Sequence, residues 1–123
     1  MDGLRFPVAV HLNGTLAANA TGAFALPIGM TLESVGVCGS NENDARLTVG
    51  TSADADGILK SGAAGESSIP KVFGKSAFDG ALCDAANPPH FAAGTILTWT
   101  LDFDGAGGAA AADVDILFLF LEG

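Results

Sequence analysis

Basic residues are scarce in this chain. Five Lys and Arg stand against fourteen Asp and Glu, for a net charge of −9 over 123 residues. A nucleic-acid backbone is gripped through clustered Lys and Arg, and no such cluster exists here, so direct binding of nucleic acid is not expected. An acidic exterior instead keeps a protein soluble beside nucleic acid without adhering to it. Charge of either sign is thin, at 15% of residues against about 25% in an ordinary domain. A surface so poor in charge is built from Ser, Thr, Asn, Gly and Ala, and little on it is costly to desolvate. Tyr is absent and Trp99 is the single Trp, which leaves few aromatics for a sugar-binding platform. The two cysteines, Cys38 and Cys83, read as half-buried thiols. A disulfide between them is left open, since a domain of this size does not need one.

Long apolar runs are also missing. The densest, Val114 to Leu121, is far shorter than a membrane-spanning helix and contains Asp115. The start, Met1-Asp2-Gly3-Leu4-Arg5, has no basic run leading into an apolar segment, so no signal peptide is expected. The reading is a soluble protein made in a cytoplasm, with no membrane partner.

What is present is bulk and turn chemistry. Hydrophobic residues make up 49%, much of it Ala, with 17 Gly and a mean hydropathy of +0.42. That excludes a disordered chain, and the length suits one domain, residues 1–123. Leu97, Trp99, Leu101 and Phe103 alternate with Thr98, Thr100, Asp102 and Asp104, the period of a strand with one buried and one wet face. Val114, Ile116, Phe118 and Phe120 share one side of a second strand, with Leu117, Leu119 and Leu121 on the other. Such a strand is expected inside a sheet and covered on both faces. The two are read as a hairpin at the centre of the core, joined through Ala106 to Ala112.

Upstream, Phe6, Val8, Val10 and Leu12 alternate with Arg5, Pro7, Ala9 and His11, and Pro7 puts that strand on an edge or at a strand start. Asn13-Gly14 reads as a turn. Further strands are expected over Gly22–Pro27, Met30–Cys38, Ala45–Thr51, Ile58–Ser61 and Ser68–Gly74, the last interrupted by Pro70. An irregular stretch then runs from Ser76 to Asn87-Pro88-Pro89-His90. About eight short strands with Gly, Pro, Asn and Asp between them, and no helical stripe, indicate an all-β sandwich or barrel.

No constellation carries catalysis, a cofactor or a metal. His11 and His90 are the only histidines, far from each other and from Cys38 and Cys83 in the chain, without the short spacing of a zinc site. Asp54-Ala55-Asp56-Gly57 has the centre of a calcium loop, but Ser52 and Ala63 stand at its first and last ligand positions, so a solvated turn is the better reading. No Gly-x-Ser-x-Gly elbow occurs. The pairs Asp102/Asp104 and Asp113/Asp115 lie two apart on one strand face, where they flank a scissile bond poorly. Gly74-Lys75-Ser76 ends like a P-loop, but Ile69 occupies the place of its first glycine. Gly105-Ala106-Gly107-Gly108 lacks the dinucleotide spacing. Asn13-Gly14-Thr15 and Asn19-Ala20-Thr21 match the glycosylation tripeptide, and with no secretory signal expected both matches read as chance. Trp99, in phase with Leu97 and Leu101, belongs to the core.

The order of the strand phrases carries a resemblance. Met30–Val37 (MTLESVGV), Ala45–Val49 (ARLTV), Gly57–Leu59 (GIL), Phe91–Thr98 (FAAGTILT) and Val114–Leu119 (VDILFL) follow one another in an order that resembles the small jelly-roll decoration, or cement, proteins of tailed bacteriophage capsids. The likeness spans about residues 22–121, and Ser76 to His90 has no counterpart in it. It implies a jelly-roll-like antiparallel β-sandwich and a non-enzymatic virion structural protein. Such a protein forms a homotrimer on the outer capsid surface and bridges subunits of the major capsid protein. The alternatives are a tail or head-fibre component of similar fold, and a carbohydrate-binding module, which would expose Trp99, Phe73 and Phe91.

Overall fold

The computed structural model describes residues 4–65, 68–83 and 88–122. It is all-β, with β1 (Arg5–Thr15), β2 (Ala20–Ala25), β3 (Met30–Cys38), β4 (Arg46–Thr51), β5 (Leu59–Ala63), β6 (Lys71–Gly74), β7 (His90–Phe91), β8 (Ile96–Asp102) and β9 (Ala112–Glu122). Two antiparallel sheets form a sandwich. One has the order β1-β9-β3-β6, with the two-residue β7 also paired to β3, and the other the order β2-β8-β4-β5. Successive strands mostly alternate between the sheets, and this is the strand order of a jelly roll.

The alternating patterns supply the core. Val114, Ile116, Phe118 and Phe120 of β9 face Leu97, Trp99 and Leu101 of β8 across the sandwich, joined by Leu32, Val35, Val37, Leu47 and Val49, all buried. Phe24 of β2 lies edge-on to Phe118, ring centroids 5.2 Å apart, and to Phe120 at 6.0 Å. Those contacts tie one sheet to the other.

Several expectations change. The strands over Leu97–Phe103 and Val114–Leu121 are not a hairpin: β8 pairs with β2 and β4, while β9 pairs with β1 and β3. Both strands have an apolar inner face, and those faces meet across the core, so the connection between them crosses from sheet to sheet. Asn13-Gly14 is not a turn. It lies within β1, where the register with β9 shifts between Leu12 and Thr15 and Gly14 takes φ 76°, as a bulge requires. The stretch read as irregular holds a short strand, β7, which brings the about eight expected strands to nine among the described residues. Finally, β9 is interior to its sheet but not covered on both faces, because Leu117 is 45% exposed.

β1 is an edge strand, as Pro7 indicated; the strand expected over Ser68–Gly74 with Pro70 inside it is instead the shorter β6, which begins only at Lys71, because Pro70 has no N–H to give a ladder. Part of the Ser76–His90 stretch, residues 84–87, and Glu66 and Ser67 of the preceding loop lie outside the described residues.

The loop from β3 to β4 is fastened to the β8–β9 connection. The Asn41 side chain donates to Ala110 O at 2.8 Å and accepts from Ala112 N at 3.0 Å. Asp44 Oδ2 accepts from Ala109 N at 2.7 Å. Gly105, at φ 62°, passes so close that an added Cβ would meet Asp44 O at 2.2 Å.

Candidate interaction surface

The two outer faces of the sandwich differ. On the four-stranded sheet the outward positions are dominated by small and hydroxyl residues, among them Thr21, Ala23, Thr48, Thr98 and Thr100. Their hydroxyls are engaged locally: Thr21 Oγ1 donates to Trp99 O at 2.9 Å, and Thr48 Oγ1 to Lys60 O at 3.0 Å. This is an ordinary wet face.

The five-stranded sheet is different because three of its strands carry apolar residues outward. The register places Ala9, Leu117, Gly36 and Val72 in one row across β1, β9, β3 and β6. The next row holds Pro7, Leu119, Ser34 and Gly74. Val72 is 67% exposed and Leu117 45%, so this centre is an open apolar surface without a charge. Gly36 adds no side chain, and a shallow hollow of ≈ 320 Å³ opens there between Val37, Cys38, Pro70, Val72, Leu117 and the charged Asp115.

Among the described residues, the charged side chains of this face stand toward its two ends. At one end Arg5 Nε lies 3.0 Å from Glu33 Oε2; Glu33 stands where the β3 register slips by one residue between Leu32 and Ser34. At the other end His11 Nδ1 lies 2.6 Å from Asp115 Oδ1. That hydrogen bond is the chief reason the imidazole pKa sits above its ordinary value, with the charges of Asp115 and Asp113 adding to it. Asp113 accepts from Gly14 N at 2.8 Å and from Ser40 Oγ at 3.2 Å, which holds it at φ 48°.

The fold thus brings together His11, Asp115 and Cys38, which share a row. Alternation along β1 puts His11 on the polar face of its strand, and the register with β9 joins it to Asp115. Each is a polar interruption in an apolar strand, and those interruptions mark the register of β1 against β9. Asp115 stands between the imidazole and the Cys38 strand, so the order of a nucleophile, base and orienting acid is not formed. His90 is apart, on β7 beside Gly29. Cys38 and Cys83 are free and half-buried. Burial pushes the Cys83 thiol up, with the charge of Asp79 adding to it, which makes it a poor nucleophile. Asp104 accepts from Ala106 N at 3.1 Å within its own turn, and Asp54 closes the Thr51–Gly57 turn through its backbone. Among the described residues no three of His, Cys, Asp and Glu are placed to hold a metal ion, and no helix is long and apolar enough to cross a membrane. A hollow of ≈ 470 Å³ opens beside Glu42, Asn43, Asp44, Gly65 and Ala109, where Asn43 N donates to Gly65 O and Asp44 N to Ala109 O.

The aromatic side chains are withdrawn from the surface. Trp99 is 6% exposed and Phe91 9%, Phe73 is half-buried, and no aromatic residue is among the exposed large hydrophobic side chains.

No protein-family model matches the chain, and no curated protein matches it. Among solved structures it is similar to a chain of the cyanophage Pam1 capsid asymmetric unit, at 16% identity and a TM-score of 0.49, covering 99% of this chain and 87% of that one. It is also similar to a CBM4 structure, at 19% identity and a TM-score of 0.32, covering 92% of this chain and 78% of that one. At such identities the likeness concerns fold alone, and the fold class here rests on the sheet topology itself.

Proposed function

We propose that this chain is a non-enzymatic virion structural protein: a decoration protein on the outer surface of a phage head that bridges major capsid subunits as a homotrimer. The observation that carries this reading is the open apolar centre of the five-stranded sheet, on a domain whose whole surface is poor in charge. A face such as Ala9, Leu117, Gly36 and Val72 gains little from water and suits close contact with protein. The resemblance in strand order to capsid decoration proteins supplies the setting. The titratable groups support a structural role, since His11, Asp113, Asp115, Arg5 and Glu33 are spent on one another and on backbone groups.

A carbohydrate-binding module would need aromatic rings on a sheet face. The burial of Trp99 and Phe91 gives that alternative no platform. A tail or head-fibre component would use the same open face, and only the particle can separate it from a head protein. The deciding experiment mixes the purified chain with heads and with tails of the phage it comes from, followed by sedimentation. Binding to heads at a fixed stoichiometry, with a rise in the temperature at which they release DNA, is expected. Binding to tails alone, or to a glycan panel with neither particle, would overturn it.

A further inference from the structure

We propose that Asn13 is a site of self-modification, where the fold converts Asn13-Gly14 through a succinimide into aspartate and isoaspartate, with Asp113 as the base.

The chain holds one Asn-Gly step. Ring closure is least hindered at such a step, because glycine has no Cβ to crowd the attacking nitrogen. Its place in the fold is the first support. Leu12 pairs with Val114 and Thr15 with Ala112, so Asn13 and Gly14 lie between rungs of the β1–β9 ladder. Closing the ring asks for rotation about bonds of Asn13 itself, and a bulge is where the ladder resists such rotation least. Asn13 is exposed, and a Cβ built on Gly14 meets nothing within 4 Å, so water reaches the ring that forms.

Asp113 is the second support. Its Oδ1 accepts from Gly14 N at 2.8 Å, which sets a carboxylate on the proton that the reaction must remove. Ser40 Oγ donates to its other oxygen at 3.2 Å. Glycines that follow an aspartate elsewhere are held differently. Gly57 N donates to Asp54 O and Gly80 N to Ile58 O, and a peptide carbonyl is no base. His11 is the third support, two residues back on the same face of β1. A hydrogen bond with the Asn13 side chain is among the causes of its raised pKa. As imidazolium it only donates, so it meets the amide oxygen, where negative charge develops.

The reaction needs water alone. Gly14 N bonds to Asn13 Cγ and gives its proton to Asp113. Asp113 passes that proton to Asn13 Nδ2, the Cγ–Nδ2 bond breaks and ammonia leaves. Water then opens the imide, at Cγ to give aspartate or at the backbone carbonyl to give isoaspartate. Nothing is oxidised or reduced, and the change happens once per chain. Either product sets a third carboxylate beside Asp113 and Asp115, at one end of the open face.

The test holds the purified full chain at neutral pH below its melting temperature and follows residues 11–16 by peptide-mapping mass spectrometry, with a separate assay for isoaspartate. Asp113→Asn is the deciding variant. Asparagine tolerates the φ of 48° and keeps an acceptor for Gly14 N, but it cannot take the proton. The native chain should exchange amide for acid at Asn13 and accumulate isoaspartate. Asp113→Asn should do so at least about tenfold more slowly, a modest demand on a positioned base, with a native melting temperature. A native chain that keeps Asn13 under conditions that convert a free peptide of residues 11–16 overturns the proposal. A smaller drop in Asp113→Asn, or a faster rate, also overturns it, because Asp113 would then only restrain the bulge. If Asp113→Asn melts early, the free peptide, which has no Asp113, takes its place: a folded chain that converts more slowly than the peptide overturns the proposal.

Discussion

The indole ring of Trp99 on β8 lies against Gly22 on the neighbouring β2, directly opposite it in register. A Cβ at Gly22 would fall 2.7 Å from three atoms of the ring. The pair fixes where the largest side chain of the core can sit. Gly22→Ala must therefore displace the indole, and overpacking of this kind costs about 1–3 kcal/mol. Chemical denaturation should show that loss with an unchanged m-value, and Trp99 fluorescence should shift to the red as the ring is pushed toward water. A variant as stable as the native chain would refute the packing described.

The two faces of β9 predict opposite responses from adjacent residues. Phe118 is fully buried and meets Phe24, so Phe118→Ala should cost about 3–5 kcal/mol. Leu117 points outward and is 45% exposed. Leu117→Ala in dilute solution should stay within about 0.5 kcal/mol of the native chain. Comparable losses at both positions would mean that the outer face is covered within a single chain.

Much of this architecture is legible in the residues themselves. The period-two alternation at Leu97, Trp99 and Leu101 and the apolar series at Val114, Ile116, Phe118 and Phe120 identify strands and their buried faces, because side-chain direction is local. Pro7 marks an edge for an equally local reason. Pairing is not local. Nothing in the sequence of β8 or β9 says that they lie in different sheets, since a buried face looks the same whether it packs beside its neighbour or across from it. Asn13-Gly14 shows the same limit, because a left-handed residue serves a bulge as well as a turn. The His11–Asp115 pair and the open apolar face both depend on the register of strands about a hundred residues apart, and they become visible only once that register is known.

His11 provides a pH signature. Its pKa is raised, first by the hydrogen bond to Asp115, so the imidazolium is favoured by folding. The contribution to stability is then fully present below the unfolded pKa of about 6.5. It is lost as pH rises through the higher folded value. Proton NMR should show His11 titrating above the ordinary imidazole value. Asp115→Asn should bring His11 down while leaving the fold intact, since both side chains are exposed. An unmoved His11 titration in Asp115→Asn would show that the pair does not form in solution.

Asn41 offers a test of how the crossing between sheets is held. Its single side chain donates to Ala110 O and accepts from Ala112 N, bridging backbone groups at the entry to β9 just where the chain arrives from β8. Both backbone groups lose their partner in Asn41→Ala. Leaving such groups unsatisfied costs about 1–3 kcal/mol. Asn41→Asp keeps the acceptor for Ala112 N but loses the donor to Ala110 O, so it should fall between the native chain and the alanine variant. Hydrogen exchange localises the effect. The Ala112 amide should lose protection in Asn41→Ala and keep most of it in Asn41→Asp. Amides at the centre of β9, around Ile116 and Phe118, should in both variants follow only the change in global stability. Equal Ala112 protection in all three chains would mean that the crossing is held by the β1–β9 ladder alone and not by the Asn41 bridge.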